Sequence, residues 1–235
     1  MRHRMLSIAA LALFAFPALA SAQLAGNSYT RYELLAPETA SFRIVYDVSA
    51  TRSGAQYYFN PIRRGSEASD ESVIDRMTGA PLKFEVVDGA QAIKDGERGA
   101  QPEDQYIKIY LARPVPEGGE ARLRILKTYK DSKSYYRQGD LIVFDRSLGI
   151  KRNAIVLPAG YELVSCNFPS QVIEERDGRL VVSHLNNTPS AAPLVIKARA
   201  LAARPSGASQ PRPAPSWRTC ASASAPSRIG RSSIS

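Results

Sequence analysis

Apolar runs and turn residues alternate most clearly over residues 153–187. Ile155, Val156 and Leu157 stop at Pro158-Ala159-Gly160, and the run from Leu163 to Cys166 stops at Asn167-Phe168-Pro169. Val172 and Ile173 lead into Asp177-Gly178, and the run from Leu180 to Leu185 follows. Short apolar runs bounded by such residues predict strand, turn, strand, turn and then a hairpin about Asp177-Gly178.

The same grammar extends backwards. Tyr32 to Leu35 is a strand stopped by Pro37. From Phe42 the period is two: Phe42, Ile44, Tyr46 and Val48 face one way, and Arg43, Val45, Asp47 and Ser49 the other. Gln56 to Phe59 is an aromatic strand that Asn60-Pro61 is expected to close. Residues 63–71 are polar and predict a loop, as do residues 96–103. Strands are predicted at 72–75, at 82–86, and at 106–111, where Ile107, Ile109 and Leu111 alternate with Tyr106, Lys108 and Tyr110. Leu123 and Ile125 against Arg122 and Arg124 mark another, Tyr135-Tyr136 a short one, and 141–144 one that Asp145 ends. Ser147 to Arg152 reads as a turn, and a strand over 194–201 closes the series. No helix of two turns or more is predicted. About a dozen short strands with turns between them predict an all-β fold, an antiparallel β-sandwich.

The two ends depart from this pattern. In residues 1–22, Arg2 and Arg4 precede an apolar run that ends at Ala20-Ser21-Ala22, the form of a cleaved secretory signal peptide. That run is shorter than the about 20 residues of a membrane span. The mature domain is expected over 23–202, exported to the periplasm or outside the cell, with no transmembrane segment after cleavage. Residues 203–235 are rich in Ser, Ala, Pro and Arg and lack Asp, Glu and Lys, a composition that predicts a disordered tail. Seven of the 31 basic residues lie in these flanks and none of the 22 acidic ones does, which leaves 24 against 22 in the domain. The net charge of +9 therefore belongs mostly to the flanks, and it does not argue for a nucleic-acid partner. Arg63-Arg64 and the basic residues of 127–133 read as solvated surface.

Chemistry is sparse. His184 is the one histidine after the leader, on a strand, and reads as a surface or hydrogen-bonded residue rather than a ligand. Cys166 reads as a small hydrophobe, and Cys220 lies in the tail, so no disulfide is expected. Metal-ligand spacings, a nucleophile elbow and glycine-rich phosphate loops are missing, so neither catalytic residues nor cofactors are assigned. Glu174 and Glu175 are neighbours on a strand and point to opposite faces, which is no acid–base pair. Glu103-Asp104 falls in a loop. Asn186-Asn187-Thr188 has the form of a glycosylation acceptor. The best binding feature is aromatic: Tyr57, Tyr58, Tyr106, Tyr110, Tyr135 and Tyr136 can stack on a glycan, form a protein interface, or simply cover the core.

Residues 31–48, 75–86 (DRMTGAPLKFEV), 107–125 and 157–177 together resemble the N-terminal β-domain of aminopeptidase N-type zinc peptidases and its stand-alone exported bacterial relatives. In that family the zinc ligands and the exopeptidase motif lie in a later domain, and neither occurs in this sequence. The resemblance implies a non-enzymatic sandwich that supports or binds a partner protein or domain. The alternative is a module that binds carbohydrate or cell envelope through its tyrosines. Permissible codons for the last thirteen residues, read two bases later, give ERAFQDREIVYF, which has the look of a strand. The tail is therefore expected to be either a frameshift product that truncates a longer protein or a natural basic linker. The coding DNA past Ala202 distinguishes the two.

Overall fold

The computed structural model describes residues 28–202. The expected leader (1–22) and tail (203–235), with Cys220, lie outside the described residues. Fourteen strands form among the described residues: β1 Tyr29–Leu34, β2 Ser41–Ala50, β3 Tyr57–Ile62, β4 Glu67–Asp75, β5 Phe84–Asp88, β6 Gln105–Tyr110 and β7 Ala121–Lys130. The rest are β8 Tyr135–Gln138, β9 Leu141–Leu148, β10 Arg152–Val156, β11 Tyr161–Cys166, β12 Ser170–Glu174, β13 Leu180–Leu185 and β14 Ala192–Ala200. One six-residue helix, α1 Gly89–Lys94, follows β5.

The all-β expectation holds. A seven-stranded sheet runs β12-β13-β10-β1-β2-β7-β4. Two smaller sheets complete the fold, β11-β14-β9-β8 and β3-β6-β5. One apolar cluster draws on all three: Phe42, Ile44, Leu123 and Ile155 from the large sheet, Phe144, Leu194 and Ile196 from the second, Ile107 and Ile109 from the third. Burying these side chains is the main source of stability, at about 1.5–3 kcal/mol for each large aliphatic or aromatic one. Phe42 has no exposed surface, and its ring meets those of Tyr32, Tyr129 and Phe144 edge-on or nearly so. All strand pairs are antiparallel except β1 with β10. That parallel pair joins the start of the domain to its closing third, and the hairpin β12–β13 about Gly178 extends the sheet from there.

Three strand boundaries depart clearly from expectation. β3 runs through Asn60-Pro61 because it is a sheet edge, and Pro61 faces Tyr106 there; an edge strand tolerates a residue that cannot donate. Half of the polar segment 63–71 is strand: β4 begins at Glu67 and pairs with β7. It too is an edge, so its polar side chains stay in water. A register shift between Ser69 and Ser72, with Asp70 at φ 54°, kinks it. β9 passes Asp145 and continues to Leu148, paired with β14. Asp145 and Ser147 face outward while Arg146 and Leu148 are buried, so alternation persists through the charges.

Candidate functional site

The six tyrosines do not form one surface. Tyr106 and Tyr110 do share the outer face of β6, but that face is covered. Tyr106 is buried with Phe59, Ala92 and Ala100 beneath α1 and the loop after it. The helix is started by Asp88, whose side chain accepts from the Gln91 amide at 2.8 Å. Tyr57 and Tyr110 meet edge to face at 5.2 Å and clasp Lys108, whose ammonium lies 4.4 Å from the Tyr57 ring centre. Burial disfavours that charge, but Asp95 at 2.7 Å and Glu85 at 3.2 Å outweigh it and raise the Lys108 pKa. Tyr135 is fully buried and donates to the Leu35 carbonyl at 2.9 Å. Tyr106 and Tyr135 therefore drop out of any surface platform. Tyr136 is half-buried on β8.

Tyr58 points inward, to a seam where the three sheets meet. The floor is the large sheet, with Thr30 and Tyr32 of β1, Ile44 and Tyr46 of β2, and Lys127 and Tyr129 of β7. Tyr58 and Asn60 of β3 form one wall, and Arg146 of β9 with Ile150 the other. The cavity measures about 290 Å³. Lys127 was expected on the surface. It is instead 5% exposed, because it continues the inward parity of Leu123 and Ile125. Its ammonium donates to Asn60 Oδ1 at 2.6 Å and to the Tyr129 hydroxyl at 2.9 Å, both neutral. Burial, and then the charge of Arg146, lower its pKa to about 7. Arg146 pairs with Asp131 at 3.1 Å. Burial acts to raise the Asp131 pKa, but hydrogen bonds from Ser134 and Ser66 and the Arg146 charge bring it below the ordinary value. Asp131 thus lies inside a segment whose charges read as solvated; Arg63 and Arg64 are exposed as expected.

Next to the seam, one cross-strand row runs Tyr46, Thr30, Asn153, His184, Ser170. Thr30 Oγ1, Asn153 Oδ1 and both ring nitrogens of His184 are buried without a hydrogen-bond partner among the described residues. His184 is neither at the surface nor hydrogen-bonded, as expectation had it; it packs on Phe168 at 5.1 Å between ring centres. Asn186 is also buried, its amide donating to the Leu148 and Ser190 carbonyls, so it is no open glycosylation acceptor.

The β12 margin of the domain exposes apolar side chains. β12 is the last strand of the large sheet, and β11 the last of its neighbour. Val172 and Ile173 of β12 are 45% and 52% exposed, and Val164 of β11 45%. Cys166 is a free, half-buried thiol 3.4 Å from Ser170 Oγ. Glu175, beyond β12, grips Arg31 with both oxygens at 2.8 and 2.9 Å, while Glu174 is exposed. Glu103 and Asp104 clamp Arg64. Among the described residues there is no group of three or more His, Cys, Asp or Glu that could hold a metal ion, and no helix is long and apolar enough to cross a membrane.

In solved structures this architecture is similar to part of the M1 class of zinc metallopeptidases, the class that the strand cadence resembles. The M1 zinc metallopeptidase of Deinococcus radiodurans matches at 11% identity over 73% of this chain and 41% of its own, with a TM-score of 0.47. A mutant of that enzyme matches at 10% identity over the same shares, with a TM-score of 0.46. The chain thus spans less than half the length of the structures it matches. No family model and no curated protein sequence matches it.

Proposed function

We propose that this chain is an exported, non-catalytic β-sandwich module that binds or supports a partner protein or domain, with the β12 margin as its docking edge. The observation that carries the reading is the exposure of Val172 and Ile173 on opposite faces of an edge strand. Edge strands are ordinarily guarded by charge, proline or cover; β12 carries its one charge, Glu174, at its last residue, and the apolar pair before it suits the addition of a partner's strand. The role agrees with what the sequence resemblance implies. A photo-crosslinking side chain in place of Ile173 tests it in cells. A discrete protein adduct at 173, absent when the crosslinker replaces Tyr136 and lost when Val172→Lys is added, is the expected result. Retention on glycan or envelope material that depends on Tyr57 and Tyr110 and ignores Val172→Lys overturns it in favour of a tyrosine-based glycan module. Export is checked by N-terminal sequencing, which should begin at Gln23.

A further inference from the structure

The seam between the three sheets holds more positive charge than its carboxylates neutralise. Arg146 has Asp131. Lys127, equally buried, has only an amide oxygen and a phenol. Both cations lie against one ring: the Lys127 ammonium is 4.6 Å and the Arg146 guanidinium 5.5 Å from the centre of Tyr129. A buried charge without a counter-ion is costly. An ammonium has three donors, and Lys127 uses two. Elsewhere in the lining of the same cavity, the Thr30 hydroxyl is 2% exposed and has no partner among the described residues. Tyr46, Tyr58 and Ile44 give the rest of the cavity an apolar lining. Its volume of about 290 Å³ stands at the low end for small-molecule sites.

We propose that the seam is a binding site for a small organic monocarboxylate, its carboxylate held by Lys127 and Arg146 and its apolar body lodged against Tyr46 and Tyr58. One added negative charge neutralises the site, and the carboxylate accepts the third Lys127 donor. The groups facing Lys127 are Arg146 from β9, Arg63 after β3, Glu71 from β4, and the phenols of Tyr32, Tyr46, Tyr58 and Tyr129. Glu71 alone among them supports the ammonium, weakly. A bound carboxylate restores that support, so binding above neutral pH takes up a proton at Lys127.

The test uses benzoate, its neutral counterpart benzamide, and inorganic phosphate, measured by calorimetry at pH 8 in two buffers of different ionisation enthalpy. Benzoate should bind with proton uptake, and benzamide and phosphate should not bind. Lys127→Met should abolish the proton uptake and weaken benzoate at least about tenfold. Equal binding of benzamide, phosphate binding without benzoate, unchanged proton uptake in Lys127→Met, or no binding by any of several aromatic and short-chain monocarboxylates overturns the proposal. Circular dichroism of Lys127→Met separates loss of the site from loss of the fold.

Discussion

At the scale of single residues, the buried polar groups decide most. Asp131 is 4% exposed and receives two serine hydroxyls, two backbone amides and the Arg146 guanidinium. Asp131→Ala leaves Arg146 buried and unpaired and should cost about 3–5 kcal/mol in urea unfolding. The pH dependence follows from the lowered Asp131 pKa. Its stabilisation is present above the unfolded value of about 3.9 and is lost as pH falls through the folded value. The gap between the parent and Asp131→Asn should therefore narrow on acidification below about pH 4; a gap that widens there contradicts the assignment. Lys127 has the opposite sense. Folding lowers its pKa from about 10.4 to about 7, so its penalty is full below pH 7 and fades as pH rises towards 10.4. Lys127→Met should accordingly stabilise the protein at pH 6 and lose that advantage near pH 10, as read from melting temperature.

At the scale of elements, α1 shows how a short helix survives. Six residues are too few to be stable alone. The Asp88 cap and the packing of Ala92 and Gly89 hold it down, and a Cβ on Gly89 would overlap the backbone carbonyl of Gln101. Asp88→Ala should cost about 1 kcal/mol, and Gly89→Ala about 1–3 kcal/mol by forcing the loop away. Both should raise amide exchange in α1 and around Tyr106 before the large sheet responds. Simultaneous loss of protection in both regions would show that α1 is not a separate local unit. β4 makes the complementary point. Nothing in its composition marks a strand from Glu67, and its pairing with β7 creates it. Strand formation at an edge depends on the neighbour's ladder more than on intrinsic preference.

At the scale of the whole molecule, Phe42 lies among rings from the large sheet and from β9. Phe42→Ala should cost about 3–5 kcal/mol and move the near- and far-ultraviolet unfolding transitions together. Two separated transitions would mean that the sheets do not share one core. The β1–β10 pair and the β2–β7 ladder join distant parts of the chain. Refolding should therefore be slow, on the order of milliseconds to seconds in stopped-flow.

Period-two alternation is a local property, so the chain carried it in plain view: Phe42, Ile44 and Val48 inward, Leu123 and Ile125 inward, turns at Gly160 and Gly178. The same parity pointed Lys127 inward, but charge suggested water, and only its placement beside Asn60 and Tyr129 makes burial tolerable. Tyr106 was outward by parity and buried by α1. Thr30, Asn153 and His184 lie far apart along the chain and become neighbours only because β1 pairs with β10 and β10 with β13. The sequence by itself determined most of the strands, their faces and the apolar interior, because these follow from each residue's immediate neighbours. Only the tertiary structure decided which outer faces are covered, which polar side chains share the seam and which edge is left open, because cross-strand adjacency depends on pairings that no local pattern encodes.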